Sequence, residues 1–216
     1  MIGAVLTGDI VNSSSMSDER LKRVRSIVLN SAEAIAGWQE DLVAGDAEFF
    51  RGDSWQVLLT QPGFSLRAAT FVRTRLLASE TDSRISVGIG DVSTIDKKRI
   101  SLSSGEAFTL SGQALDALKR SGVFLVMSPR FEVAGDLAPA VFDLCNALVS
   151  GWTTRQCEIA GIALDPEMVT QSDILDHLGE SISVQSVGKT LRSMSFDILA
   201  DVLTMLERGA WLDEPR

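Results

Sequence analysis

Histidine is almost missing from this chain: His177 is the only one in 216 residues. Multi-histidine metal sites and nucleophiles activated by imidazole therefore have nothing to stand on. Cysteine is nearly as scarce. Cys145 and Cys157 make neither a disulfide framework nor a zinc pattern, which leads us to expect a reduced, cytoplasmic protein. No apolar run approaches the ~20 residues of a membrane span, so no membrane partner is expected. Met1 leads straight into a strand-like run, without the basic and apolar regions of a signal peptide. Basic residues are outnumbered, 20 Lys and Arg against 29 Asp and Glu, giving a net charge of −9. A surface of that sign disfavours DNA as a partner unless a local basic patch overrides it. Acid-base or metal chemistry must then rest on Asp, Glu, Lys, Arg or solvent.

The remaining composition, 45% apolar and 23% charged, is that of a globular domain. Two acidic turns organise its first half: Thr7-Gly8-Asp9-Ile10 and Phe50-Arg51-Gly52-Asp53-Ser54. The first closes a short apolar strand over residues 2–8. A long amphipathic helix follows from Asp18 to Leu42, capped by Ser17, with Leu21, Val24, Val28 and Ile35 at helical spacing. Arg20, Lys22, Arg23 and Arg25 surround that stripe, either as a solvated face or with one of them reaching a phosphate near the strand ends. Strands over 47–51 and 54–60 flank Gly52-Asp53 as a hairpin. After Pro62-Gly63 comes a second helix to Ser79, then a strand over 84–90. The alternating Gly88 and Gly90 of that strand indicate close approach of a backbone or a ligand. A helix ending near Arg120 and a strand over 122–127 complete this part.

The order β-α-β-β-α-β predicts an α+β, ferredoxin-like palm: an antiparallel sheet with two helices on one face. In that topology the end of the first strand and the hairpin tip share one edge. Asp9 and Asp53 would then face each other at a spacing that suits one divalent cation. Taken singly, each is as well explained as a turn residue. From Asp136 onward the strand signals stop. This divides the chain into a palm over 1–135 and an all-α module over 136–216. The stretch Thr170 to Leu191 has a helix-turn-helix rhythm, with Gly179 ending one helix, Glu180-Ser181-Ile182-Ser183 as the turn, and Gln185, Ser186, Lys189 and Arg192 pointing outward from the next. Residues 151–216 carry five cations against eleven acids, an unusual balance for a DNA reader.

Several motifs together resemble the SatD family of bacterial proteins: Leu6-Thr7-Gly8-Asp9-Ile10 with its polar turn, Gly52-Asp53, Gly88-Ile89-Gly90, and Trp152-Thr153-Thr154-Arg155-Gln156 ahead of the helix-turn-helix. The resemblance covers most of the chain and implies little about activity. More distantly, the first half is similar to the palm of class III nucleotidyl cyclases. There, two aspartates matching Asp9 and Asp53 hold divalent cations on a nucleoside triphosphate. That resemblance implies Mg²⁺ or Mn²⁺ at Asp9 and Asp53, with the Ile10 carbonyl as a further ligand, nucleotide as partner, and a homodimer. It also places a ribose-orienting Asn at Thr109, a transition-state Arg at Gln113 and a purine-selecting Lys at Phe49, so three roles fall on residues that do not supply them.

Arg51, Arg84, Lys97, Lys98 and Arg99 are the cations available to replace the missing charge. Ser103-Ser104-Gly105, at a helix start, reads as a phosphate cradle or as simple capping. Asp91 and Glu106 read as turn and cap residues or as an additional metal ligand and base-edge acceptor. Two functions therefore stand open. One is a nucleotide-binding protein with metal-dependent nucleotidyl transfer or cyclisation. The other is a non-enzymatic regulator with a DNA- or protein-binding helix-turn-helix. No residue is assigned as catalytic.

Overall fold

A computed structural model describes residues 1–50, 52–168, 170–179 and 182–212. Arg51 and the first two residues of the expected turn, Glu180 and Ser181, lie outside the described residues. Five strands, β1 (Ile2–Ile10), β2 (Glu48–Phe50), β3 (Ser54–Leu59), β4 (Ser83–Asp91) and β5 (Gly122–Met127), form one sheet in the order β2-β3-β1-β4-β5. β1 runs antiparallel to both β3 and β4. This is the expected palm order, with one addition: β5 joins the free edge of β4 in parallel. The sheet is therefore not wholly antiparallel, because a helical crossover between two strands returns the chain in the same direction.

Period-two alternation along the strands sorts the residues onto two faces. Ala4, Leu6, Trp55, Val57, Ile85 and Val87 enter the main core. There α1 (Asp18–Trp38) contributes Val24, Val28 and Ile35, and α2 (Ser65–Ala78) contributes Leu66, Phe71, Val72 and Leu76. Trp55 is fully buried, its indole lying across Gly8, where a Cβ would collide with the ring. On the opposite face, Val5, Leu58, Val92, Ile100 and Ala107 make a smaller cluster under α3 (Glu106–Ala117). The close approach signalled by Gly88 and Gly90 is that of α3. A Cβ on Gly88 would lie 2.6 Å from the Ser111 nitrogen and closer still to the Ala107 carbonyl. Thr7, Gln56 and Ser111 form a buried hydrogen-bonded chain across this interface, at 2.9 Å per link.

α1 ends at Trp38, short of the expected Leu42. Asp41 takes a left-handed conformation, and Leu42 is buried outside the helix, where Val43 bridges Leu59. The remaining helices are α4 (Glu132–Ser150), α5 (Thr154–Ala163), α6 (Gln171–Leu178), α7 (Val184–Ser193) and α8 (Phe196–Glu207). Position 136, where the sequence changes style, falls inside α4. The sequence predicts a helix from Pro166 through Gly179, but α6 starts at Gln171. Thr170 and Asp173 form its capping box, while Pro166 belongs to a turn in which Asp165 accepts the Glu167 N–H. Gly179 ends α6 at φ 62°, and Gln185, Ser186, Lys189 and Arg192 are exposed on α7.

Helices α5 to α7 share a local apolar cluster, with Ile159, Ile174 and Val187 at its centre. The main core nevertheless continues from the sheet through Phe142, Val149, Leu164, Leu199, Leu203 and Leu206. Two buried arginines of α2 bind the two parts together. Arg73 makes a two-pronged bridge to Asp82 at 2.9 and 3.0 Å and donates to Asn146 and Ser150 of α4. Arg67 pairs with Glu207 and donates to the Leu164 carbonyl at 3.1 Å.

Candidate functional site

The C-terminal end of β1 turns sharply. Asn12 takes φ 57°, which an Asn tolerates, and a 3-10 turn at Ser13–Ser15 follows. Register then does the assembling. Asp9 lies opposite Ser54 on one side and Arg84 on the other. Asp53, one residue before Ser54, stands at the hairpin tip and accepts the Ser13 hydroxyl. Arg25 of α1 donates to the Gly52 carbonyl and lies 5.6 Å from the Phe49 ring, which fastens that tip to the helix. Of the other α1 cations, Arg20 donates to the Glu80 carbonyl, Arg23 pairs with Glu19, and Lys22 is exposed.

Asp9, Ile10, Asp53 and Arg84 line one open cleft of about 400 Å³, together with Ser13, Lys119 and Ser121. Aromatic residues do not fill it. Trp55 is in the main core, and neither Phe49 nor Phe50 reaches the lining. Its inner wall is a cross-strand ion pair. Both oxygens of Asp9 accept from the Arg84 guanidinium, one at 2.9 Å from Nε, and the third prong of Arg84 donates 2.7 Å to the Leu118 carbonyl at the end of α3. The hydrogen bond to Asp9 raises the Arg84 pKa, helped by the charges of Asp9, Asp53 and Asp116. The sequence placed Arg84 among several cations near the site. Its pairing with Asp9 is fixed only by the β1–β4 register. Lys119 has no sequence signal and is brought in by the end of α3.

The other proposed residues lie elsewhere. Gly105 packs against the backbone of Asp91 and Val92, and Asp91 pairs with Ile2, at the opposite end of β4 from Arg84. Seven strand residues put that end about 23 Å away. Ser104 is tied there by backbone bonds to Ser93 and Thr94. Asp91 and Glu106 both bridge to Arg130, at 2.9 and 3.8 Å, and Glu106 also accepts the Ser128 hydroxyl. The Arg130 bond holds the Asp91 carboxyl below its ordinary range. This group joins α3 to the far sheet end and stands apart from Asp9 and Asp53. Arg99 is committed to Glu48 at 3.5 Å. Thr109 and Gln113 are exposed on α3.

The acids that this cleft offers to a divalent cation are Asp9 and Asp53. Among the described residues, no three His, Cys, Asp or Glu side chains converge. Asp9 and Asp53 are therefore two carboxylates, enough for a hard cation that keeps several waters. Arg84 occupies the Asp9 oxygens and must release them first. Burial pushes the Cys157 thiol up to about 11 and raises that of Cys145 as well, so neither is poised as a nucleophile.

The chain matches no family model and no curated protein. Among solved structures, it is similar to the guanylyl cyclase Cya2 at 17% identity and a TM-score of 0.41, over 58% of this chain and 75% of that one. It is similar to the adenylyl cyclase CyaB from P. aeruginosa at 13% identity and a TM-score of 0.40, over 58% and 76%. A dimeric guanylyl cyclase domain of the RhoGC fusion protein from the aquatic fungus Blastocladiella emersonii matches at 13% identity and a TM-score of 0.40, over 57% and 78%. These likenesses are distant and concern chain arrangement alone.

Proposed function

We propose that the protein binds a nucleoside triphosphate, with Mg²⁺ or Mn²⁺, in the cleft between the end of β1 and the β2–β3 hairpin. One observation carries this reading: the sheet gathers the carboxylates of Asp9 and Asp53, the guanidinium of Arg84 and Ile10 around one open cavity. About 400 Å³ is within the range of small-molecule sites. Asp9 and Asp53 would hold the cation, with the Ile10 carbonyl as an additional oxygen. Such a cation neutralises phosphate charge and makes a bound hydroxyl more acidic.

The chain's own groups divide the remaining work. Arg84, once off Asp9, is a two-pronged donor beside the phosphates. Lys119 brings a second positive charge to the rim. Ser13 orients Asp53 through its hydroxyl. Gln113 is neutral and cannot stabilise developing phosphate charge as a guanidinium would, so binding is the function proposed and cyclisation by a lone chain is not. Calorimetry with Mn²⁺ and a non-hydrolysable triphosphate tests it. Asp53→Asn should weaken binding by about a hundredfold, in line with loss of a direct ligand to a bound cation. Unchanged affinity in that variant would remove the cleft as the site.

A further inference from the structure

A second cavity, of about 560 Å³, lies between α1, α2, α5 and α6 and shares no lining residue with the Asp9–Asp53 cleft. Phe71, Ile162, Met168 and Leu178 give it apolar walls. Arg75 of α2 also lines it, its guanidinium 5.1 Å from the Phe71 ring. Gly161 of α5 makes the space for that side chain, since a Cβ there would stand 3.2 Å from the Arg75 Cγ.

Other polar side chains facing this cavity have partners. Glu158 pairs with Arg155 at 2.8 Å, Asp165 accepts the Glu167 N–H at 3.0 Å, and the His177 Nδ1 sits 3.0 Å from the Asp173 carbonyl. Arg75 makes no hydrogen bond or ion pair among the described residues. Burial lowers its pKa, as desolvation of an unpaired cation should. A half-buried guanidinium without an anion is the group that an anionic ligand would satisfy.

We propose that this cavity binds a small organic carboxylate, its anionic end on Arg75 and its apolar body against Phe71, Ile162, Met168 and Leu178. One unpaired cation suits a monoanion, and Glu158 and Asp165 would repel a doubly charged phosphate. Because the walls belong to α2 on one side and α5 and α6 on the other, the ligand would bridge the sheet-bearing part and the C-terminal helices.

Titration calorimetry of the full chain tests this with octanoate and benzoate against octanamide and benzamide. At least one carboxylate should bind, its amide at least about tenfold more weakly, the equivalent of one charge-assisted contact. Arg75→Gln should erase that preference while moving the melting temperature little, since the guanidinium it removes has only the Phe71 ring as a partner. Ala78→Trp, which fills the cavity, should abolish binding. The proposal falls if no carboxylate binds, if the amides bind equally well, or if Arg75→Gln keeps the preference. Should Arg75→Gln fail to fold, carboxylate binding that survives Ala78→Trp overturns it.

Discussion

At the scale of single residues, cross-strand register decides which side chains meet. Glu48 of β2 shows how local such a tie is. Its carboxylate accepts the Ser101 N–H at 3.0 Å and pairs with Arg99, which together lower its pKa from 4.5. A carboxyl depressed on folding stabilises the native state fully above its unfolded value, and the contribution is lost as pH falls through the lower folded value. Glu48→Gln should therefore cost about 1 kcal/mol at neutral pH. The gap from the parent protein should close under acid, below about pH 4. Urea melts across that window give the answer. A gap that widens in acid would mean that the bond to Ser101 does not favour the ionised form.

At the scale of elements, α3 is held to the sheet by what the strand leaves out. Gly88 permits its backbone to lie directly on β4, and the Thr7–Gln56–Ser111 chain fills the polar gap. Gly88→Ala must push a helix backbone away, because the new methyl meets main-chain atoms instead of a yielding side chain. We expect it to destabilise the fold by about 2–3 kcal/mol, read as a lower denaturation midpoint. A neutral result would mean that α3 floats over the sheet. This contact was half legible in the sequence. Two glycines alternating in a strand announced a close neighbour without saying which one. The strand order was legible too, and with it the placing of Asp9 and Asp53 along one cleft, since Gly-Asp turns bounded apolar runs in a recognisable order. The Asp9–Arg84 pair and the remote placing of Ser104 and Gly105 were not. Both follow from which end of β4 each residue occupies, and that depends on partners far away in the chain. The cavity around Arg75 left no trace in the sequence, because its walls come from four helices whose packing angles no local pattern records.

Across the whole molecule, the change of style near residue 136 does not divide the core. The apolar cluster that starts at Ala4 ends at Leu206, and Arg67 and Arg73 reach from α2 into the C-terminal helices. Trp38 and Trp55 report on the sheet-bearing part, and Trp152, packed 6.5 Å from Phe196, reports on the helices. Single-tryptophan variants should therefore melt at one common denaturant concentration, as a cooperative unit does. Separate midpoints would show two bodies that merely touch.

The bridging of α2 has a consequence for how such a chain can be altered. From Ser65 to Thr74 the helix is buried on every side, so it has no outer face on which substitutions are free. The C-terminal helices cannot be exchanged as a cassette for those of another protein unless the newcomer brings an acid for Arg67, an amide for Arg73 and a gap for Arg75. The two ends of this chain are bound to change together.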